Sequence, residues 1–502
     1  MAHAVIRSRA LAGVSSPPVE VEVDLAGGLP ALAIVGLAET AVKEARDRVR
    51  AALVNSGYDF PTARVTVNLA PADLPKEGGR FDLPIALGVL VASGQLPAEA
   101  VSAYELLGEL TLDGRLRPVR GVLAAALELA GSDVALLAPA ENAAEAAVAG
   151  EVAVYGAASL NAVTAHLRGR EPIAAASPDE PPAFHPPDLA DVRGQSGPKR
   201  ALEVAAAGGH ALLFSGPPGA GKTLLARCLP GILPPLTPEA RVEVARIRSV
   251  AGEEVAGLDP TPPLRAPHHS ASMPALVGGG SPPRPGEITR AHEGVLFLDE
   301  LPEFPRQVLE ALREPLETGH ITVARARQTV CFPARFQLLA AMNPCPCGHL
   351  GDSRSPCTCT PAQVQRYRAR LSGPLMDRID LQLEVPALPV TDLRPGQPAD
   401  GEPSRVVRER VTAVRQRQLH RMGRPAAALT PREVESHCRP DGEGLAFLET
   451  ASERLGLSAR AYHRILKLAR TIADLEGEDG IHRAHIAEAV QYRRLDQGEP
   501  PA

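Results

Sequence analysis

Residues 210–229 read "HALLFSGPPGAGKTLLARCL", and the fold class follows from how this stretch divides. "HALLFS" is a short apolar strand, "GPPGAGKT" at 216–223 fits G-x-x-x-x-G-K-[ST], and "TLLARCL" continues as a helix. Strand, glycine-rich loop and helix in that order make an α/β protein with a loop for nucleoside triphosphates. Gly216, Pro217, Pro218, Gly219, Ala220 and Gly221 let backbone N–H groups close around phosphates, helped by the positive end of the helix. Lys222 would reach the β- and γ-phosphates of ATP, and Thr223 would ligate Mg²⁺. The competing reading is a glycine-rich turn with an incidental lysine. Lysine is rare here, five residues beside 48 arginines, which weighs against accident.

"GVLFLDE" at 294–300 is an apolar strand ending in paired acids. Asp299 is placed for the Mg²⁺ shell, and Glu300 to orient and polarise the attacking water. Such a pair is common and structural on its own; after a phosphate loop it acquires a role. "FQLLAAMN" at 336–343 is a further buried strand, with Asn343 at its C-terminal end, where sites in parallel sheets gather. Asn343 is a candidate to help position that water; its plain alternative is a turn asparagine.

A chain of 502 residues holds about two to four domains. Hydrophobic residues at 44% and charged ones at 22% are those of a soluble globular protein. The longest apolar run, "LPIALGVLVASGQL" at 83–96, has the length of a buried helix rather than a membrane span. "MAHAVIRSRALAG" has no apolar stretch after its arginines, so no signal peptide is read, and a cytoplasmic location follows. The formal charge of −6 excludes a surface coated with basic residues, so any nucleic-acid contact must be local. Aromatics at 3%, with no Trp, argue against rows of rings stacking on single strands.

"PIAAASPDEPPAFHPP" at 172–187 has six prolines in sixteen positions and reads as a stiff linker. The chain accordingly divides into 1–170, a linker at 171–188, a nucleotide-binding core at 189–395, and a helical domain at 396–502. The first part reads α+β: strands at 19–26 and 63–71, a helix at 39–57 and the buried helix at 83–96. The last part carries the amphipathic helices "SRVVRERVTAVRQRQLHRM" and "SARAYHRILKLARTIADLEG".

"MNPCPCGHLGDSRSPCTC" at 342–359 holds Cys345, Cys347, Cys357 and Cys359, two C-x-C pairs nine residues apart. In a reducing compartment such a set reads as metal ligands before disulfides. Four thiolates close a tetrahedral zinc site with no position left for water, so the metal would be structural; reduced, unliganded thiols are the other reading. His268 and His269 in "APHHSAS" have no acid nearby in sequence and receive no chemistry.

The stretches "GQSGPKRALEVAAAGGHALLFSGPPGAGKT", "PHHSAS", "GVLFLDE", "MNPCPCG" and "SGPLMDRIDL" together resemble the YifB/ComM group of magnesium-chelatase-like AAA+ ATPases. The resemblance runs over roughly residues 1 to 495. It implies an AAA+ P-loop NTPase core with a helical lid, ATP and Mg²⁺ as cofactors, and a ring, usually a hexamer. Arg378 in "LMDRID" then resembles an arginine finger inserted into the neighbouring site, unless it only pairs with Asp377 or Asp380. Arg460 in "LSARAY" resembles the lid arginine that touches the γ-phosphate.

"LPKEGGRFDLPIALGVLVASGQL" and "GELTLDGRLRPVRGVLAAALELAG" resemble the Lon-protease (ribosomal S5 domain 2-like) fold. Arg80 and Phe81 fall where its serine should be, and Leu123 near its lysine, so no Ser–Lys nucleophile is expected. "GHITVARARQTVCFPARF" at 319–336 reads as two strands around "ARARQ". In related ring motors this hairpin faces the pore. Arg325 and Arg327 would there contact DNA phosphates, branched or single-stranded, without base selectivity; alternatively they are ordinary surface arginines. The resemblance implies an ATP-driven motor on DNA, a branch-migration helicase in recombination or natural transformation. The competing function is a chelatase-like or protein-remodelling ATPase that does not act on DNA.

Overall fold

The structure is a computed structural model. It describes residues 2–36, 44–76, 78–181, 186–280, 283–325, 328–352, 354–387 and 401–493. Its first sheet runs in the order Ala2–Arg9, Pro18–Ala26, Arg64–Ala70, Ala31–Val35, with the last pair parallel and the others antiparallel. Alternation builds it: Val19, Val21 and Val23 are buried while Glu20 points to solvent. The buried face meets the helix Asp82–Ala92, in which Leu83, Ile85, Leu87, Val89 and Leu90 are all buried. Each such side chain contributes roughly 1.5–3 kcal/mol. A Cβ on Gly88 would come within 2.5 Å of Val23 Cγ2, so the helix lies on the sheet with no room for a methyl. The helix expected at 39–57 is described as Ala45–Asn55, residues 37–43 lying outside the described set.

Several parts of this region went unread in the sequence, among them the strand Ala31–Val35 and the helices Val122–Leu129, Ala140–Ala147 and Leu160–Leu167. Ala2–Arg9 is itself a strand, burying Ala4, Ile6 and Ser8. Beyond the Asp82 helix comes a small parallel sheet, Tyr104–Leu106, Ala135–Pro139 and Val154–Ala157. Arg80, Phe81 and Leu123 are all buried. Leu123 packs with Val148 against Ala245 and Val255, and the Gly121 N–H donates to Ser249 O at 3.1 Å, so this position joins the N-terminal part to the helix Pro238–Ala251. In the proline-rich stretch the described residues form no helix and only the isolated bridge Tyr155–Ala175.

The central sheet is parallel throughout. Its strands are β1 (Leu212–Ser215), β2 (Leu264–Arg265), β3 (Gly294–Leu298), β4 (Phe336–Met342) and β5 (Leu381–Glu384), in the order β2-β3-β4-β1-β5. β1 and β3 are buried on both faces, as a parallel sheet covered by helices requires. The parallel order brings the C-terminal ends of β1, β3 and β4 side by side, with Ser215 paired to Met342 and Leu298 to Ala340. Between β3 and β4 lies the antiparallel hairpin His320–Arg325 with Gln328–Pro333. Ile321, Val323, Val330 and Phe332 bury its inner face.

The C-terminal region is helical, led by Ser404–Met422 and Ala459–Glu476. Ile465, Leu468, Ala469 and Ile472 recur at helical spacing and are fully buried. Asp380, just before β5, is buried and accepts from Ala211 N–H at 3.1 Å and from the Arg464 guanidinium, and His210 Nε2 lies 2.8 Å from Thr471 Oγ1. That polar knot ties the entries of β1 and β5 to the long helix Ala459–Glu476. Among the described residues no helix is long and apolar enough to cross a membrane.

Candidate nucleotide site

The loop between β1 and the helix Lys222–Ile232 holds Gly219 at φ +75 and Gly221 at φ +91. An added Cβ at either would meet nothing within 4 Å, so the left-handed backbone rather than crowding calls for glycine. Gly216 is the opposite case, pressed against the carbonyl of Val385 after β5. Lys222 is buried, and its Nζ donates to Gly216 O at 2.6 Å, Pro217 O at 3.0 Å and Asn343 Oδ1 at 3.2 Å. Burial holds its ammonium below the usual lysine range, while Asp299 and Glu300 pull the other way. The Thr223 hydroxyl donates to Asp299 Oδ2 at 2.7 Å. A hydroxyl and a carboxylate that close, at a helix N-terminus, have the chemistry to ligate a small divalent cation beside phosphates. Lys222, Thr223, Asp299, Glu300 and Asn343 therefore share one edge of the sheet.

Glu300 has φ +54, unusual for a residue with a side chain, and its N–H donates to Asp299 Oδ1 at 2.9 Å. Its carboxylate meets His269: Nδ1 lies 2.9 Å from Oε2. The sequence reading of His268 and His269 as lacking a nearby acid is corrected here, because adjacency of β2 and β3 supplies one. Gln195 was also missed. Its Nε2 donates to Ala220 O at 3.1 Å and to Pro386 O at 2.8 Å, stitching the phosphate loop to the chain after β5.

The two candidate arginines lie outside this cluster. Arg378 donates to Pro374 O at 2.6 Å and pairs with Glu317, not with Asp377 or Asp380; Asp380 is occupied by Arg464. Arg460 is exposed on the helix Ala459–Glu476, one turn before Arg464. Of the hairpin arginines, Arg325 ends its strand and Arg327 lies outside the described residues, as does the Arg325 side chain.

The four cysteines converge. Sγ of Cys345 is 3.4 Å from that of Cys347 and 3.7 Å from that of Cys357, and Cys347 to Cys357 is 3.6 Å. A tetrahedron with 2.3 Å metal–sulfur arms has edges of about 3.8 Å, so the spacing fits a four-thiolate metal cage. Backbone N–H groups of Leu350, Cys347 and Cys359 point at Cys345, Cys359 and Cys357 Sγ, at 3.3, 3.4 and 3.4 Å. Backbone donors at His349 and Thr358 bring the Cys347 thiol down to about 5, while against backbone donation burial and the neighbouring sulfurs push Cys357 up and Cys359 up to about 12, so without a cation the four sulfurs do not ionise together. Gly348, at φ +83, abuts the phosphate loop: a Cβ there would lie 2.7 Å from Pro218 Cδ. A second group, Glu243, His292 and Glu293, could also hold a cation. Its carboxylates already neutralise Arg335, at 2.8 and 2.6 Å.

Residues 188–393 match the family described as magnesium chelatase, subunit ChlI; residues 21–142 and 401–493 match the further ChlI and ChlI C-terminal families. The competence protein ComM of Haemophilus influenzae is 50% identical over 502 residues, 99% of this chain and 98% of that one. The chain belongs to the YifB/ComM family of magnesium-chelatase-like proteins. YifB of Escherichia coli is 49% identical over 499 residues, again 99% and 98% of the two chains. Likeness of this YifB/ComM chain to magnesium-chelatase subunits proper is partial: ChlI of Nephroselmis olivacea is 33% identical over 70 residues, 14% of this chain and 20% of that one, and the 38 kDa subunit of Cereibacter sphaeroides is 26% identical over 169 residues, 30% of this chain and 51% of that one.

Proposed function

We propose that the chain is an ATP-hydrolysing AAA+ motor that assembles as a hexameric ring and acts on DNA, driving branch migration when incoming DNA recombines. The observation that carries this reading is the meeting of Lys222, Thr223, Asp299 and Asn343 at one sheet edge, in a chain half identical end to end to a competence protein. Lys222 binds the β- and γ-phosphates, and Thr223 and Asp299 would hold Mg²⁺, which when bound neutralises phosphate charge. Glu300 accepts a proton from the water as its oxygen bonds to the γ-phosphorus and the bond to the ADP oxygen breaks; Asn343 helps to hold that water. Arg378 serves the neighbouring subunit's site once its pair with the half-exposed Glu317 opens, and Arg460 closes from the lid.

In this reading the four-cysteine cage holds a structural zinc and braces the strand end at Asn343. The N-terminal part, with Arg80, Phe81 and Leu123 buried, performs no peptide cleavage and serves assembly or DNA contact. The partial likeness to chelatase subunits supports a second reading, a remodelling ATPase that ignores DNA. ATP hydrolysis by the purified chain with and without a DNA junction separates them. Stimulation by DNA is expected; hydrolysis indifferent to DNA supports the second reading.

A further inference from the structure

His269 belongs to "APHHSAS", a stretch that follows β2, whereas Glu300 follows β3. β2 and β3 are neighbours and parallel, so both deliver their next residues to the same edge of the sheet. There His269 Nδ1 lies 2.9 Å from Glu300 Oε2. The rest of Glu300 is pinned: its backbone sits at φ +54 and its N–H is bound to Asp299. Its side chain, however, is 52% exposed, and among the described residues no other side chain pairs with that carboxylate. An acid with a fixed main chain and a solvated end samples several rotamers unless something holds the end.

The imidazole is itself held. The His268 ring lies 4.1 Å from the His269 ring, centroid to centroid. His268 Nδ1 accepts from Ser270 N–H at 3.3 Å and stands 2.8 Å from Ser270 Oγ. Ser270, His268 and His269 thus form a short buttress that ends on Glu300.

We propose that His269 is a positioning residue for ATP hydrolysis. Its Nδ1–H donates to Oε2 of Glu300, leaving Oε1 to accept the proton of the attacking water. The proposal rests on the reading of Glu300 as that acceptor. Because His269 acts through Glu300 and not on the nucleotide, its loss is felt in turnover and not in binding.

The test is steady-state ATP hydrolysis by the full chain, with and without a DNA junction. It compares wild type, His269→Ala, His269→Asn and Glu300→Gln, with binding of a fluorescent ADP analogue measured alongside. His269→Ala is expected to lower kcat about 10- to 100-fold. KM for ATP and affinity for the analogue should change less than about twofold. His269→Asn, whose amide N–H can stand near the position of Nδ1–H, is expected to recover most of the loss. A wild-type kcat in His269→Ala, a loss confined to KM, or no recovery with Asn overturns the proposal. A rise in kcat overturns it too, since the imidazole would then restrain Glu300. Full activity in Glu300→Gln instead removes the parent assignment, and the proposal with it.

Discussion

The Thr223 hydroxyl and the Asp299 carboxylate stand 2.7 Å apart although 76 residues separate them in the chain. That contact exists because β1 and β3 are both bonded in parallel to β4 and so deliver the residues that follow them to the same edge of the sheet. Three variants of this site should separate binding from chemistry. Lys222→Ala removes the cation on the phosphates and should weaken nucleotide affinity at least about tenfold. Asp299→Asn should raise the Mg²⁺ concentration needed for turnover. Glu300→Gln should keep nucleotide binding and lose about 100-fold or more in kcat. Calorimetric binding beside phosphate-release kinetics checks all three; unimpaired turnover in Glu300→Gln would remove the base assignment.

Gly348 packs on Pro218, so the cysteine cage and the phosphate loop should report on each other. Elemental analysis is expected to find about one zinc per chain, absent in Cys357→Ser/Cys359→Ser. Stripping the metal should raise KM for ATP, because the turn carrying Gly348 loses its anchor. Gly348→Ala should do the same with the metal in place, since it adds backbone strain of about 1–3 kcal/mol at φ +83 and a methyl against Pro218. Metal-free protein with wild-type KM would contradict the bracing role.

Asp380 joins the sheet to the long C-terminal helix. Burial opposes its ionisation, but the Arg464 guanidinium outweighs burial and holds the carboxyl well below the usual carboxylate range. The unfolded chain therefore takes up a proton first on acidification, and the stability this group contributes is present above about pH 4 and lost below it. His210 acts in the same direction. Burial lowers its imidazole, so the unfolded chain protonates first below about pH 6.5. Asp380→Ala leaves Arg464 facing no carboxylate there and should cost about 3–5 kcal/mol. Denaturant melts between pH 2 and 8 should show wild type losing this contribution below about pH 4, and Asp380→Ala less stable above pH 4 with a flatter limb below it.

The hairpin carries a prediction about DNA. Replacing Arg325 and Arg327 with alanine should flatten the fall of DNA affinity with salt and abolish stimulation of hydrolysis. A ring of six chains would lose about twelve phosphate-reaching guanidiniums. An unchanged salt slope places the DNA contact elsewhere on the ring.

The phosphate loop, the paired acids and Asn343 were legible because each is a contiguous pattern whose chemistry demands those residue types. The cysteines were legible for the same reason. The His269–Glu300 contact was not, since it depends on which strand lies beside β3, and two-residue β2 has no periodicity to announce it. Gln195 hid similarly: its partners, Ala220 and Pro386, are brought together only by the sheet order. The opening strand escaped because "HAVIRSR" runs Ala4, Val5 and Ile6 together and then Arg7, Ser8 and Arg9, with no apolar–polar alternation, and buries Ser8, which donates to Leu106 O at 2.8 Å. Arg378 could be assigned a partner in sequence only by proximity, and the fold chose Glu317 instead.

Migration of a synthetic four-way DNA junction by the purified chain in ATP and Mg²⁺ tests the central claim most directly. The account predicts that wild type converts the junction to its two duplex products, and that Glu300→Gln binds the junction but leaves it intact. Wild-type chain that hydrolyses ATP yet never moves the junction would contradict it.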